Sequence, residues 1–126
     1  MPSQKSPVQN ARMRMIVMNG QRVVQVEDGA VWSAVKVAKA NGVPPAIYHL
    51  LPAENPSAET PTRGQILHAD RTRVWQEAGK GRVVVHNRVD FDKVPDIGLV
   101  ATIKYDVANA RAQVEAPRAQ PRARSR

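Results

Sequence analysis

Short valine-rich runs separated by glycine-containing turn pairs constrain the fold of this chain more than any other feature. The first run places Met13, Met15 and Val17 on one side of an extended segment, and Asn19-Gly20 follows it. A type I′ turn needs positive φ at both central residues, which asparagine and glycine tolerate. We therefore predict a β-hairpin that opens the folded part of the chain, with residues 21–26 as its return strand.

The next segment, residues 31–40, is predicted to be a short helix. Trp32, Val35 and the lysines at 36 and 39 recur at spacings of three and four, which separates an apolar from a cationic face. Asn41-Gly42 then stands where a helix C-cap is expected. With a third strand at 46–51, residues 12–51 are predicted to form a ββαβ unit.

Residues 52–63 contain three prolines and are predicted to be a linker. The following segment, residues 64–116, is predicted to hold five short strands separated by glycine and aspartate turns. Five short strands in about fifty residues are typical of a small barrel of the SH3-like or OB-like kind. The fold class is therefore expected to be mainly β (α+β).

The net charge of +8 comes from 19 basic and 11 acidic residues among 126. Half of the excess lies in residues 117–126, which are expected to be disordered, as are residues 1–11. Cysteine is absent, which excludes disulfides and thiolate metal sites. The sequence has neither a secretory h-region nor an apolar run of membrane-spanning length, so a soluble, cytoplasmic protein without membrane contact is expected.

An ordered series of residues between positions 64 and 115 resembles the KfrB domain. The side chains that carry this resemblance are Gly64, Ile66, His68, Asp70, Trp75, Gln76, Gly79, Gly81, His86, Phe91, Pro95, Gly98, Ile103, Tyr105, Ala112 and Val114. The segment RMIVMNGQRVVQ near the N-terminus is also similar to small plasmid proteins built around this domain, some called KfrB and some conjugal transfer protein TraO. Trp75 departs from the pattern, since tyrosine is expected there.

The resemblance implies a genetic setting and a kind of partner. Proteins of this family belong to conjugative plasmids and act in plasmid maintenance, partition or transfer. The resemblance implies plasmid-encoded partners, either a KfrA-like DNA-binding coiled-coil protein or components of the conjugation machinery. It implies neither catalytic activity nor a cofactor, and a protein-interaction module is the expected function.

A basic surface with an aromatic residue is the alternative candidate site. On the predicted barrel, Trp75 accompanies four cations, and the C-terminal segment holds four more. These cations are Arg71, Arg73, Lys80, Arg82, Arg118, Arg122, Arg124 and Arg126. An exposed aromatic among cations would suit weak, sequence-nonspecific binding of nucleic acid, including DNA. Trp75 as a core residue is the favoured interpretation, and it removes the stacking contribution.

His68, Asp70 and His86 are the candidates for a metal or acid–base cluster. Ordinary strand histidines are the favoured interpretation, because a metal site needs three or four ligands. The acidic loop with Asp90, Asp92 and Asp96 lacks the spacing of an EF-hand. No serine has an activating neighbour. We therefore expect no catalytic residue, no metal and no enzyme activity.

Overall fold

The computed structural model describes residues 12–29, 31–57, 59–79, 81–106 and 111–115. The chain divides into two compact units between Ala53 and Glu54, and each contains one antiparallel sheet. The prediction of a mainly β protein is therefore confirmed. The predictions for residues 1–11 and 117–126 lie outside the described residues.

Nine strands are described, four in the N-terminal unit and five in the C-terminal unit. They are β1 (Met13–Met18), β2 (Gln21–Asp28), β3 (Val31–Lys39), β4 (Ala46–Leu51), β5 (Thr62–Ala69), β6 (Arg73–Gly79), β7 (Arg82–Asn87), β8 (Val100–Asp106) and β9 (Arg111–Glu115). A single 3₁₀ turn, Arg88–Asp90, follows β7. Across the described residues, no helix is long and apolar enough to span a membrane.

The N-terminal sheet has the order β3-β2-β1-β4. The predicted hairpin is present: β1 and β2 pair directly, and Asn19 and Gly20 have positive φ values of 54° and 76°. One face of this sheet, the inner face, buries the side chains that alternate along β1 and β2. These buried residues include Met13, Met15, Val17, Val24 and Tyr48. The other face, the outer face, carries Arg14, Ile16 and their cross-strand neighbours.

The predicted helix at 31–40 is wrong, because this segment is strand β3. It pairs with β2 from Gln21↔Lys39 to Asp28↔Val31. The register shifts where Val24 faces Lys36 and Gln25 faces Ala34, so Val35 is an extra residue in a β-bulge. The bulge converts a two-residue alternation into a three-residue spacing, which imitates a helical pattern in the sequence. Asn41 and Gly42 have positive φ values in a turn and do not cap a helix.

The C-terminal sheet has the order β7-β6-β5-β8-β9 and is not a closed barrel. Closure would need a ladder between the two edge strands, β7 and β9. Instead the chain leaves β7 through the Arg88–Asp90 turn, and among the described residues a single bridge, Phe91↔Ala112, joins this segment to β9. Five short strands were predicted correctly, whereas the SH3-like or OB-like closure was not.

The buried cluster of the C-terminal unit lies where the segment after β7 covers the sheet. Its members come from four strands and this covering segment: Ile66, Val74, Phe91, Ile103 and Ala112. Val94, Ile97 and Leu99 pack against it from the loop before β8. β5 begins at Thr62, two residues before the predicted boundary at Gly64, so part of the predicted linker belongs to the sheet.

The substitution Ala34→Val tests the assignment of β3 as a strand. Ala34 is exposed and faces Gln25. Valine favours strands, so we expect the free energy of unfolding to stay equal or rise by up to about 0.5 kcal/mol. In a helix the same change would cost about 0.6 kcal/mol. Urea unfolding measures the difference, and a clear fall in stability would contradict the strand.

Candidate functional site

A chain of buried polar side chains connects four strands of the C-terminal sheet. Gln76 on β6 is completely buried, and its amide nitrogen lies within hydrogen-bond distance of three carbonyl oxygens, those of Ala101 (3.0 Å), Gly64 (3.1 Å) and Thr62 (3.3 Å), which share its two hydrogens. The amide oxygen of Gln76 lies 2.9 Å from Nε2 of His86 on β7. The other ring nitrogen of His86, Nδ1, lies 2.7 Å from the hydroxyl of Tyr105 on β8.

The direction of each hydrogen bond between Gln76, His86 and Tyr105 follows from the contact of the Gln76 amide with the three carbonyl oxygens. Carbonyl oxygens only accept, so the Gln76 group that faces three of them is the NH₂ group, and the amide oxygen faces His86. His86 must therefore donate from Nε2, which leaves Nδ1 of the neutral ring to accept the Tyr105 hydroxyl proton. Gln76, His86 and Tyr105 thus form one fully paired network.

Burial favours the neutral form of both titratable groups of the network. Desolvation lowers the pKa of His86 to about 4. Desolvation, with a smaller contribution from the negative charge of Asp90, raises the pKa of Tyr105 to about 12. At neutral pH the imidazole is therefore uncharged and the phenol keeps its proton, as the hydrogen-bond directions require.

Gly64 is needed where β5 passes close to β6. A Cβ atom at this position would lie 1.6 Å from the backbone oxygen of Glu77. The absence of a side chain lets the strands approach, and the Gly64 carbonyl then accepts from Gln76. Gly64, the first residue of the series that resembles the KfrB domain, is thus required by packing.

Asp70 organises the turn between β5 and β6. Its Oδ1 atom accepts hydrogen bonds from the backbone N–H groups of Thr72 (2.9 Å) and Arg73 (2.8 Å), and its Oδ2 atom accepts one from the Arg73 guanidinium (3.1 Å). Desolvation raises the pKa of Asp70, but these hydrogen bonds and the charge of Arg73 together outweigh it, so the pKa lies below its usual value. Asp70 therefore acts as a turn cap.

Phe91, Pro95 and Gly98 position the segment that covers the sheet. Phe91 meets the His86 ring edge-on, with ring centroids 5.8 Å apart. Pro95 is buried, and Gly98 adopts a φ of 92°. The Gly98 N–H donates to the Ile66 carbonyl at 2.8 Å, which returns the chain toward β8. These residues, too, have structural roles.

The structure does not bring His68, Asp70 and His86 together as a ligand set. His68 stacks on Trp75 with ring centroids 5.4 Å apart, while His86 uses both ring nitrogens within the polar network. Within the described ranges, no group of three or more His, Asp or Glu side chains is arranged to hold a metal ion. Asp92 of the acidic loop forms an ion pair with Arg111.

The predicted basic surface around Trp75 loses most of its binding features in the structure. Trp75 is completely buried, so its ring is not available to stack on a nucleic-acid base. Arg73 is paired with Asp70, and Arg82 forms a two-point ion pair with Glu54 (2.8 and 3.0 Å). Arg71 is exposed. Lys80, Arg118, Arg122, Arg124 and Arg126 lie outside the described residues.

The sequence interpretation missed two neighbouring features on the outer face of the N-terminal sheet. One is an apolar row, Ile47–Ile16–Val23–Val37, in which each residue faces the next across the four strands. The other is a cationic–aromatic cluster of Arg14, Trp32 and His49. The alternation along β1 already placed Arg14 and Ile16 on one side. The helix predicted for 31–40 concealed that Trp32 and Val37 share that side.

The substitution Gln76→Leu tests the polar network. Leucine has a similar size but would leave the Nε2 proton of His86 and the buried carbonyls without their partner. Each unsatisfied buried group costs about 1–3 kcal/mol, so we expect a loss of roughly 3 kcal/mol in the free energy of unfolding. The matched control is Gln113→Leu at an exposed position of β9, which should change it by less than about 0.5 kcal/mol. Equal changes in the free energy of unfolding for Gln76→Leu and Gln113→Leu would contradict the network.

The low pKa of His86 predicts a loss of stability in mild acid. The pKa in the folded protein, about 4, lies below the ordinary histidine value of 6.5, so protonation favours the unfolded chain. The contribution of neutral His86 to the free energy of unfolding is fully present above pH 6.5. It is lost as the pH falls through 4, which lowers the free energy of unfolding by about 3 kcal/mol.

Urea unfolding between pH 7 and pH 4 measures this loss. His86→Gln should be less stable at pH 7 and should lose less stability on acidification, whereas the exposed-site control Gln113→Leu should show the pH dependence of the unsubstituted protein. The hypothesis fails if His86→Gln and the unsubstituted protein show the same pH dependence.

Comparison with known proteins agrees with the series of residues that organises the C-terminal sheet. The sequence model of the KfrB Domain family matches residues 62–116, which run from the first residue of β5 to just past β9. The chain is also 33% identical to Protein TraB of Escherichia coli over 104 residues, which cover 80% of this chain and 68% of that protein. The chain therefore belongs to the KfrB-domain family.

Proposed function

We propose that this chain is a non-enzymatic accessory protein of a conjugative plasmid, and that it acts as a protein-interaction module in plasmid maintenance, partition or transfer. Membership of the KfrB-domain family supports the plasmid setting. A KfrA-like DNA-binding coiled-coil protein or a conjugation component is the proposed partner. The apolar row on the outer face of the N-terminal sheet is the observation that carries the interaction role.

The apolar row is unusual because it is both continuous and exposed. Ile47 and Val37, at its two ends, are each 56% exposed, and Ile16 and Val23 between them are partly buried. Met18, 53% exposed, extends the row along β1. Single exposed apolar residues are common, but a contiguous apolar patch typically marks a surface that another molecule covers.

The geometry of His86 supports the absence of catalysis in this proposal. A general acid or base must reach the substrate with a free ring nitrogen. Both nitrogens of His86 are engaged inside the unit, and the side chain is completely buried. His68 is buried against Trp75. The histidines of the C-terminal unit are therefore used for packing and hydrogen bonding.

An apolar row suits a coiled-coil partner on chemical grounds. A helix of such a protein that carries apolar side chains outside its coiled-coil seam needs an apolar surface to cover them. The outer face, with four aliphatic side chains in line, provides that surface. Lys39, exposed beside Val37 on the same strand, offers a contact for acidic side chains at the edge of the helix.

The substitutions Ile47→Lys and Val37→Lys test this proposal in a pull-down against the plasmid's own proteins. Each places a charge in the row, so we expect at least a tenfold loss of the retained KfrA-like or conjugation protein. Val89→Lys is the matched control: Val89 is 77% exposed in the C-terminal unit, and its substitution should leave retention unchanged.

Two results would count against the proposal. One is the retention of no plasmid-encoded protein by the unsubstituted chain. The other is equal retention by all three variants, which would remove the apolar row from the interaction. A thermal unfolding curve for each variant verifies that loss of retention does not come from loss of folding.

A further inference from the structure

We propose that the cationic–aromatic cluster of the N-terminal sheet, Arg14, Trp32 and His49, binds one nucleotide unit of a single-stranded nucleic acid. These residues line a cleft of about 500 Å³ together with Arg12, Leu51 and Pro52. The cleft lies within the N-terminal unit, whereas Trp75 and the cations for which the sequence suggested nucleic-acid binding belong to the C-terminal unit. The inference is independent of the protein-interaction role proposed above.

Arg14 is held ready to bind an anion. Its guanidinium carbon lies 4.0 Å from the centroid of the Trp32 ring, and its Nε atom donates to the side-chain oxygen of Gln25 at 2.6 Å. Neither terminal nitrogen of Arg14 has a hydrogen-bond partner among the described residues. A guanidinium held by a ring contact and a hydrogen bond loses little conformational entropy when it binds, and its terminal N–H groups match the oxygens of a phosphate.

His49 adds a second donor beside Arg14. The two residues face each other across β1 and β4, which places their Cβ atoms roughly 5 Å apart on the same face. His49 is exposed, and an imidazole has an N–H donor in either tautomer. A phosphate between the two side chains would accept hydrogen bonds from both.

The aromatic side chain in the cleft indicates that the ligand also has a flat ring, such as a base. Trp32 is partly exposed, and the Arg14 guanidinium lies over one face of its ring. Bases stack on tryptophan and on arginine planes alike, with about 1–3 kcal/mol per base for an aromatic platform. Leu51 and Pro52 supply apolar contacts to the cleft. An anion next to a stacking plane is the chemistry of a nucleotide.

Charge favours a nucleotide within a strand over a free one. The whole chain carries a net charge of +8, which attracts a polyanion more strongly than a single phosphate group. Arg12, 65% exposed at the mouth of the cleft, is only loosely paired with Glu27 at 3.7 Å and can contact a neighbouring phosphate. A base paired in a duplex does not offer its face for stacking, so a single strand is the expected ligand.

The binding experiment uses the full chain and a fluorescein-labelled single strand of about 15 deoxythymidines, a length within the range of known single-strand sites. Fluorescence anisotropy should show that Arg14→Gln weakens binding about tenfold and that His49→Gln weakens it about threefold. Arg63→Gln removes the same single charge at an exposed position of the C-terminal unit and should weaken binding less than twofold. His49 is exposed, so its variant keeps the test valid if Arg14→Gln folds poorly.

Photochemical cross-linking with a 5-iodouracil strand gives a second readout without any substitution. The inference predicts a cross-link in the tryptic peptide of residues 23–36, which contains Trp32. Competition should rank the unlabelled single strand first, then the duplex, then thymidine monophosphate.

Three results would overturn the inference. The first is an equal loss of affinity in Arg14→Gln and Arg63→Gln, which would indicate diffuse attraction by net charge. The second is a cross-link confined to other peptides, including residues 74–80 with Trp75. The third is equal competition by the duplex or by the mononucleotide.

Discussion

The hydrogen bonds of the Gln76 side chain are the interaction on which the C-terminal sheet depends. The amide nitrogen reaches carbonyls of β5 and β8, and the amide oxygen reaches His86 on β7, whose other ring nitrogen continues to Tyr105 on β8. Hydrogen bonds are strong in a buried site, and any unpaired member would be costly. A shift in the register of any participating strand would leave several buried groups unpaired at once. The network therefore favours one arrangement of the strands.

The structure assigns structural roles to the residues that resemble the KfrB domain. Gly64 permits close strand approach, Asp70 caps a turn, and Phe91 and Gly98 direct the covering segment back to the sheet. The residues by which the family is identified thus build the C-terminal unit. Because these residues make contacts within the unit, family membership indicates the fold of the C-terminal unit more directly than its biochemical function.

The surfaces proposed to bind other molecules lie on the N-terminal sheet, before the first residue matched by the family model. The apolar row and the cationic–aromatic cluster share one face because β3 continues the sheet formed by β1, β2 and β4. Adjacent positions on a strand point to opposite faces, and the bulge at Val35 shifts this alternation by one residue, so Trp32 and Val37 project from the same face. A helix in this segment would have separated these side chains from Arg14 and Ile16.

Local patterns determined much of this protein without any tertiary information. The Asn19-Gly20 hairpin, the alternation along β1 and the short strands of the C-terminal unit follow from turn chemistry and from the two-residue period of a strand. The recognised series likewise identified the family from the sequence. The turn and strand signals depend only on a residue and its near neighbours in the chain.

The pairing of the strands and the segments that cover them decided the rest. The bulge at Val35 depends on how β3 meets β2, and it made a strand look helical. The burial of Trp75 and the pairing of Gln76 with His86 depend on which segments lie next to β6 and cover it. A local pattern shows that side chains alternate, but it does not show which strand lies beside them or what covers each face. For that reason only the tertiary structure separated a candidate nucleic-acid contact from a core residue.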